Sequence, residues 1–178
     1  PITLFFSNLL LFFKLSILPR LYIHIQFCKQ ACHYCDFHFS VNQRDQSAVV
    51  QALAQEITLQ KNYLPTSQLD TIYFGGGTPS LLNEYELSYL MDTIHKTFSL
   101  DKDAEVTLEA NPDDLTLEKL NLFKKSGINR LSIGTQSFQD ICLSYLNRAH
   151  NASQAKQSIA DAQNLGFDNI SIDLIYAI

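Results

Sequence analysis

Five short runs rich in apolar residues and β-formers alternate with longer segments of helical periodicity, and this alternation constrains the fold most. The runs cover residues 21–26, 71–74, 105–110, 130–135 and 169–174. Strands separated by helices of ten or more residues pair in parallel through right-handed crossovers. The sequence therefore predicts an α/β fold, either as an open doubly wound sheet or as a barrel.

The helical segments between these runs carry recognisable start signals. Helices are predicted at residues 45–62, 83–98, 116–126 and 141–165, the last in two pieces broken near Asn151. Asp45 and Ser153 are the predicted N-caps of the first helix and of the final piece. Asn83 with Glu86 three residues later resembles a capping box. A full eight-unit barrel typically needs about 250 residues, so this 178-residue chain with five strands is interpreted as the first part of a larger barrel.

Composition limits the classes of protein to which the chain can belong. An apolar content of 46% is enough for one core, and the net charge of -5 with scattered basic residues argues against a nucleic-acid partner. Residues 1–20 form a strongly apolar segment, but a spanning helix needs about 20 such residues and Lys14 interrupts the run. We favour a fragment boundary or non-native upstream translation over a membrane anchor. Residues 21–178 are the predicted core, incomplete at its C-terminus.

Three cysteines, Cys28, Cys32 and Cys35, follow the first predicted strand directly. Thiolates hold four-iron four-sulfur clusters, and the usual protein site supplies four of them. Three thiolates without a fourth leave one iron open to a small molecule. The remaining cysteine, Cys142, lies beside Ile141 in an apolar neighbourhood and is interpreted as a buried core residue.

Two other uses of the cysteines must be considered. A disulfide framework fits poorly because the three close cysteines form an odd set, and unpaired thiols suit a reducing, cytoplasmic compartment. A structural zinc site with His24, His33 or His38 as fourth ligand remains an alternative. His24 itself is otherwise interpreted as a buried structural histidine.

The stretch Tyr-Ile-His-Ile-Gln-Phe-Cys-x-x-x-Cys-x-Tyr-Cys-Asp-Phe, which begins at Tyr22, resembles the cluster loop of radical S-adenosylmethionine (SAM) enzymes. Within them it resembles the oxygen-independent coproporphyrinogen III oxidases and the related HemW-type haem chaperones. The resemblance implies a partial (β/α) barrel of six units, truncated here after about five strands, and a 4Fe-4S cluster on the three cysteines. It also implies that the methionine part of SAM chelates the open iron, and that reductive cleavage of SAM gives a 5′-deoxyadenosyl radical.

Polar residues recur where the predicted strands end, which is where ligands bind in parallel α/β folds. The residues alone leave other uses open: a tight turn for the glycines, a helix-capping acid, or an internal hydrogen-bond network. The resemblance implies SAM contacts for Tyr22, Tyr34, Gly76, Gly77, Thr78, Glu109 and Arg148. We add Gln136 and Asp173, because inward-facing polar groups of a barrel need partners and a bound polar ligand is one.

The residue two positions after the third cysteine separates the subgroups. The oxidases have a further cysteine there, whereas this chain has Phe37, which favours a haem chaperone built on a radical SAM scaffold. The resemblance then implies haem or porphyrin as cargo, a haem-acceptor protein, and an electron donor such as a flavodoxin or ferredoxin. The alternatives are an oxidase that converts coproporphyrinogen III to protoporphyrinogen IX, and a zinc- or cluster-stabilised binding module.

Overall fold

The computed structural model describes residues 19–177 and contains one parallel sheet. Its strands are β1 (Arg20–Ile25), β2 (Gln68–Gly76), β3 (Ser99–Ala110), β4 (Arg130–Gln136) and β5 (Asn169–Leu174). They pair in the order β1-β2-β3-β4-β5, each parallel to its neighbours. The predicted α/β fold with five parallel strands is confirmed, and over the described residues the sheet stays open between β1 and β5.

The helices connect successive strands. They are α1 (Gln46–Leu59), α2 (Glu84–Thr97), α3 (Leu117–Lys125), α4 (Asp140–Tyr145) and α5 (Ala152–Asn164). Right-handed crossovers between strands in sequential order place the connecting helices on one face of the sheet. Alternation along β1 shows which face that is: Ile23 and Ile25 are buried in the core, whereas Tyr22 and His24 are not.

The predicted capping box at the start of α2 is confirmed. The Glu86 N–H donates to Asn83 Oδ1 at 2.9 Å, and the Asn83 N–H donates to Glu86 Oε2 at 3.1 Å. Glu86 also accepts hydrogen bonds from the side chains of Gln46 and Ser47, at 2.7 and 2.8 Å. The buried carboxylate of Glu86 thus accepts from three donors, and it joins the N-terminal ends of α1 and α2.

The structure corrects the predicted start of α5 and the predicted end of α1. The N-cap of α5 is Asn151, whose side chain accepts from the Gln154 N–H at 2.8 Å, so Ser153 lies inside the first turn. Asp45 is the N-cap residue of α1, as predicted, but its side chain makes no capping hydrogen bond. That helix ends at Leu59, before the predicted end near residue 62, and Leu64 beyond it still packs on the core.

Two residues that were predicted to be buried are only partly buried. Cys142 is only partly buried, because α4 turns the next residue, Leu143, into the core instead. His24 is partly buried on the face of β1 opposite to Ile23, where its Nδ1 lies 3.2 Å from the Tyr22 hydroxyl. Apolar neighbours in the sequence do not show which side of helix α4 Cys142 occupies, nor which face of strand β1 carries His24.

The apolar segment at the start of the chain lies almost wholly outside the described residues, which begin at residue 19. The interpretation of residues 1–20 therefore stays a prediction. None of the helices between residues 19 and 177 has the length and apolar character that crossing a membrane requires.

Candidate functional site

A cavity of about 210 Å³ lies at the carboxyl ends of the strands, beside the loop that carries the three cysteines. Of the twelve predicted site residues, eleven line it: Cys28, Cys32, Tyr34, Cys35, Gly76, Gly77, Thr78, Glu109, Gln136, Arg148 and Asp173. Tyr22 does not line it; its ring stacks on Tyr73 with centroids 5.9 Å apart. Residues from four strands and the loop thus meet at one place, as parallel pairing requires.

The end of β2 lies against the start of the cysteine loop, and this needs glycine. The Gly77 N–H donates to the Ile25 carbonyl at 2.7 Å. A Cβ at Gly77 would lie 2.8 Å from the Phe27 carbonyl oxygen and 3.0 Å from Cys28 Sγ. Gly76 has a φ of 115°, in the range that only glycine adopts readily. The glycines therefore let two backbone segments approach beside a candidate metal ligand.

Glu109 is held by both of its carboxylate oxygens. Oε2 accepts from the Gly76 N–H at 3.1 Å, and Oε1 accepts from the Tyr73 hydroxyl at 2.7 Å. Burial, together with the bond to Glu109, raises the pKa of Tyr73 to about 12, so the phenol stays protonated and donates. Each carboxylate oxygen has a further acceptor site. Glu109 can therefore accept from a ligand without giving up either protein partner.

Arg148 connects the cysteine loop to the ends of two strands. Nη2 donates to Asn111 Oδ1 and to the Gly134 carbonyl, both at 2.7 Å. Nη1 donates to the Tyr34 hydroxyl at 3.0 Å and to Cys32 Sγ at 3.3 Å. The planar guanidinium suits this branched arrangement, which a lysine could not reproduce. Its Nε is buried and has no hydrogen-bond partner among residues 19–177.

The thiol of Cys28 is partly buried beside the hydroxyl of Thr78. Burial raises its pKa, the hydrogen bond from Thr78 Oγ1 at 3.5 Å opposes this, and the neighbouring thiols raise it further. All four cysteines are free and partly buried. Between residues 19 and 177, no three His, Cys, Asp or Glu side chains lie close enough to share a single metal ion.

Sequence reasoning missed an ion pair on the other flank of the loop. Lys29 donates to Asp113 Oδ2 at 2.7 Å and also pairs with Asp114, whose side chain accepts from Ser80 Oγ at 2.7 Å. Burial lowers the pKa of Lys29, but the bonds to the two carboxylates outweigh it and the net pKa is raised. The ammonium of Lys29 thus stays charged and binds the start of the cysteine loop to the β3–α3 connection.

Asn111 is a further residue of the cavity wall that the sequence did not predict. Its side-chain amide donates to Thr78 Oγ1 at 3.3 Å while its carbonyl oxygen accepts from Arg148. A signal was present, since Asn111 lies two residues beyond Glu109 and alternation places both side chains on the same face.

Gln136 lies at the irregular end of β4. It has a φ of 60°, which is uncommon for a residue other than glycine, and the β4–β5 register shifts between Ile133 and Gln136. Its carbonyl accepts from the Ile175 N–H at 2.9 Å. Asp173 lies on β5 at the open edge of the sheet and is exposed. Such backbone irregularities concentrate at functional sites.

Comparison with known proteins agrees with this geometry. The sequence model of the radical SAM superfamily matches residues 22–178. The haem chaperone HemW of Bacillus subtilis is 42% identical over 161 residues, which cover 88% of this chain and 42% of that protein. HemW of Escherichia coli K12 is 36% identical over 160 residues, with 89% and 42% covered.

Among solved structures, the radical SAM enzyme coproporphyrinogen III oxidase (HemN) of Escherichia coli superposes with a TM-score of 0.81 at 32% identity. The match covers 89% of this chain and 37% of the enzyme. The chain therefore spans less than half the length of the relatives it matches.

Proposed function

Because this chain belongs to the radical SAM superfamily, we propose that Cys28, Cys32 and Cys35 hold a 4Fe-4S cluster and that the adjoining cavity binds SAM. The observation that carries the proposal is the convergence of three free thiols and eight predicted SAM-binding residues on one cavity. Three thiolates satisfy three irons and leave the fourth for a small ligand.

The residues present fit both cofactors. SAM carries a carboxylate, an ammonium group, a sulfonium and two ribose hydroxyls. Arg148 lines the cavity, and the positive charge of its guanidinium can attract the anionic group. Glu109 and Asp173 offer oxygens to the ammonium and the hydroxyls. When bound and reduced, the cluster and SAM supply a 5′-deoxyadenosyl radical.

The protein's own part is to position these groups. Glu109 fixes the Gly76 N–H while keeping free acceptor sites toward the cavity. Arg148 fixes Cys32 and Tyr34 against the ends of β3 and β4. The Thr78 hydroxyl donates to Cys28 Sγ, which favours the thiolate form that binds metal.

For the complete protein we propose a haem chaperone of the cytoplasm. Phe37 occupies the position at which a further thiol would favour an oxidase, and it lines the cavity with 74% of its surface exposed. An exposed aromatic ring suits contact with a flat apolar macrocycle. Two relatives that match most of this chain are named haem chaperones. The proposed partners are haem or porphyrin, a haem-acceptor protein, and an electron donor such as a flavodoxin or ferredoxin.

A second function is favoured by a specific observation, the similarity in fold to coproporphyrinogen III oxidase. To separate the two, the full-length protein is reconstituted anaerobically with iron and sulfide, reduced with a low-potential reductant such as dithionite, and mixed with SAM and coproporphyrinogen III. Decarboxylated product is followed by chromatography, and haem is titrated in parallel. We expect stoichiometric haem binding without product. Multiple turnovers to protoporphyrinogen IX would establish the oxidase instead.

A further inference from the structure

The short helix α4 ends in a complete Schellman motif. The Arg148 N–H donates to the Leu143 carbonyl at 2.9 Å, and the Asn147 N–H donates to the Ser144 carbonyl at 3.1 Å. Asn147 has a φ of 55°, the left-handed conformation that this motif requires. Glycine is the usual residue there, and asparagine is the other residue that adopts it with little strain.

This ending leaves the last carbonyls of the helix without intrahelical donors, and the cysteine loop supplies the donors. The His33 N–H donates to the Leu146 carbonyl at 3.1 Å. The His33 ring nitrogen Nδ1 lies 2.7 Å from the Tyr145 carbonyl, and because a carbonyl only accepts, Nδ1 carries the proton. The Gln30 amide donates to the Asn147 carbonyl at 2.6 Å. Three successive carbonyls of one helix end are thus capped by the loop.

The contact is reciprocal through the side chain of Asn147. Its amide Nδ2 donates back to the Ala31 carbonyl at 2.7 Å, more than one hundred residues away along the chain. Asn147 therefore has two separate effects: its backbone turns the helix carbonyls toward the loop, and its side chain holds the loop backbone between Cys28 and Cys32. Within the loop itself, the Cys35 N–H donates to the Cys32 carbonyl at 3.2 Å.

We propose that the C-terminal end of α4 is the template that holds the cysteine loop in its cluster-binding conformation, with Asn147, His33 and Gln30 as positioning residues. The inference rests on the proposed function, since it concerns the loop that would hold the cluster. Positioning groups of this kind, which act on metal ligands without touching the metal, typically change metal affinity by about 10–100-fold.

The experiment uses three variants of the full-length protein. Asn147→Gly keeps the left-handed backbone and loses only the amide, whereas Asn147→Ala loses the amide and strains the backbone. Gln30→Ala removes a donor on the loop side and leaves the hydrogen bonds that end α4 intact. The matched control is Asn121→Ala, which removes an exposed asparagine amide that donates to the Leu117 carbonyl within α3.

Two readouts are taken, one of them without any cluster. In the apoprotein, amide hydrogen exchange of residues 29–36 is measured by mass spectrometry; we expect faster exchange in Gln30→Ala and Asn147→Gly, and the fastest in Asn147→Ala. In the reconstituted protein, release of iron to a chelator is timed anaerobically. We expect about tenfold faster release or more in Asn147→Ala and no change in Asn121→Ala.

The experiments test the α4 template and the proposed cluster independently of each other. If exchange in residues 29–36 of Gln30→Ala and Asn147→Gly matches that of Asn121→Ala, the template is wrong whatever the loop binds. If Asn147→Ala does not fold, Gln30→Ala decides the question, because α4 keeps its own ending. If Cys32→Ala retains its full iron content, the proposed cluster is wrong. The hydrogen-exchange measurement on the apoprotein still tests the template, because it does not depend on the cluster.

Discussion

Replacing Gly77 by alanine tests how closely β2 must approach the cysteine loop. The added Cβ would lie 2.8 Å from the Phe27 carbonyl oxygen and 3.0 Å from Cys28 Sγ. Non-bonded heavy atoms pack best at about 3.5–4.0 Å, so something must move by about half an ångström. Phe27 cannot easily yield, because its side chain is in the core and the flanking Cys28 N–H and Gln26 carbonyl are both bonded to Ser40.

The displacement therefore falls on Cys28 or on the backbone around Gly77. Inserting a methyl into a well-packed site typically costs about 1–3 kcal/mol of unfolding free energy. Functional groups need to be held within about 0.5 Å of their productive positions, so the shift required here is as large as the tolerance. We expect Gly77→Ala to fold with reduced stability and to lose iron and sulfide after reconstitution.

The matched control is Gly127→Ala at the end of α3. Gly127 has a φ of +87°, but its nearest neighbour to a new Cβ is Met91 Cε at 3.9 Å. The cost is then backbone strain of about 1–2 kcal/mol without any effect on the site. Urea unfolding of the two full-length variants measures the free energies, and iron and acid-labile sulfide are counted per chain. Equal cluster content in both variants would refute the steric reasoning.

Three further predictions concern the fold around the site. Asn151→Ala removes the cap of α5 and should cost about 1 kcal/mol, whereas Ser153→Ala should be neutral; urea unfolding measures both. Burial lowers the pKa of His150 from 6.5, so the unfolded chain takes up this proton first and stability falls as the pH drops below about 6.5. The slope is at most about 1.4 kcal/mol per pH unit, and His150→Gln should flatten it. Lys29→Met leaves the buried Asp114 without its cation and should cost about 1–3 kcal/mol. The cost should be smaller when Asp114→Asn is also present, which a double-mutant cycle measures.

Each of these has an outcome that contradicts it. Equal losses at positions 151 and 153 would mean that the capping box contributes nothing. An unchanged pH profile in His150→Gln would show that this imidazole does not titrate differently in the folded state. Additive effects of the substitutions at Lys29 and Asp114 would show that the ion pair has no coupling energy.

The sequence predicted the number of strands and their parallel pairing better than the strand lengths. Apolar runs marked all five strands, but β2 begins at Gln68 and β3 at Ser99, three and six residues before the predicted starts. The first residues of the two strands pair with each other, Gln68 with Ser99 and Leu69 with Leu100, whereas residues 101–103 lie in the register shift before Glu105 pairs with Thr71. Pairing between distant segments does not show in a local hydrophobic pattern.

The site was predicted largely through motif residues at strand ends, which parallel topology brings together. What could not be predicted were the contacts that depend on three-dimensional distance. Lys29 and Asp113 are 84 residues apart, and Asn147 and Ala31 are 116 apart, yet each pair is bonded at 2.7 Å. Tyr22 was predicted as a site residue from its place in the motif. Its ring stacks on Tyr73, and it does not line the cavity.

The most direct test of the central claim is the cofactor content and SAM response of the full-length protein after anaerobic reconstitution. Iron and acid-labile sulfide are counted per chain, and the reduced protein is examined by electron paramagnetic resonance before and after SAM is added. We predict about four irons and four sulfides, with a spectrum that SAM alters in the wild-type protein and a cluster that is lost in Cys32→Ala. One zinc without sulfide, or a cluster whose spectrum SAM leaves unchanged, would contradict the account.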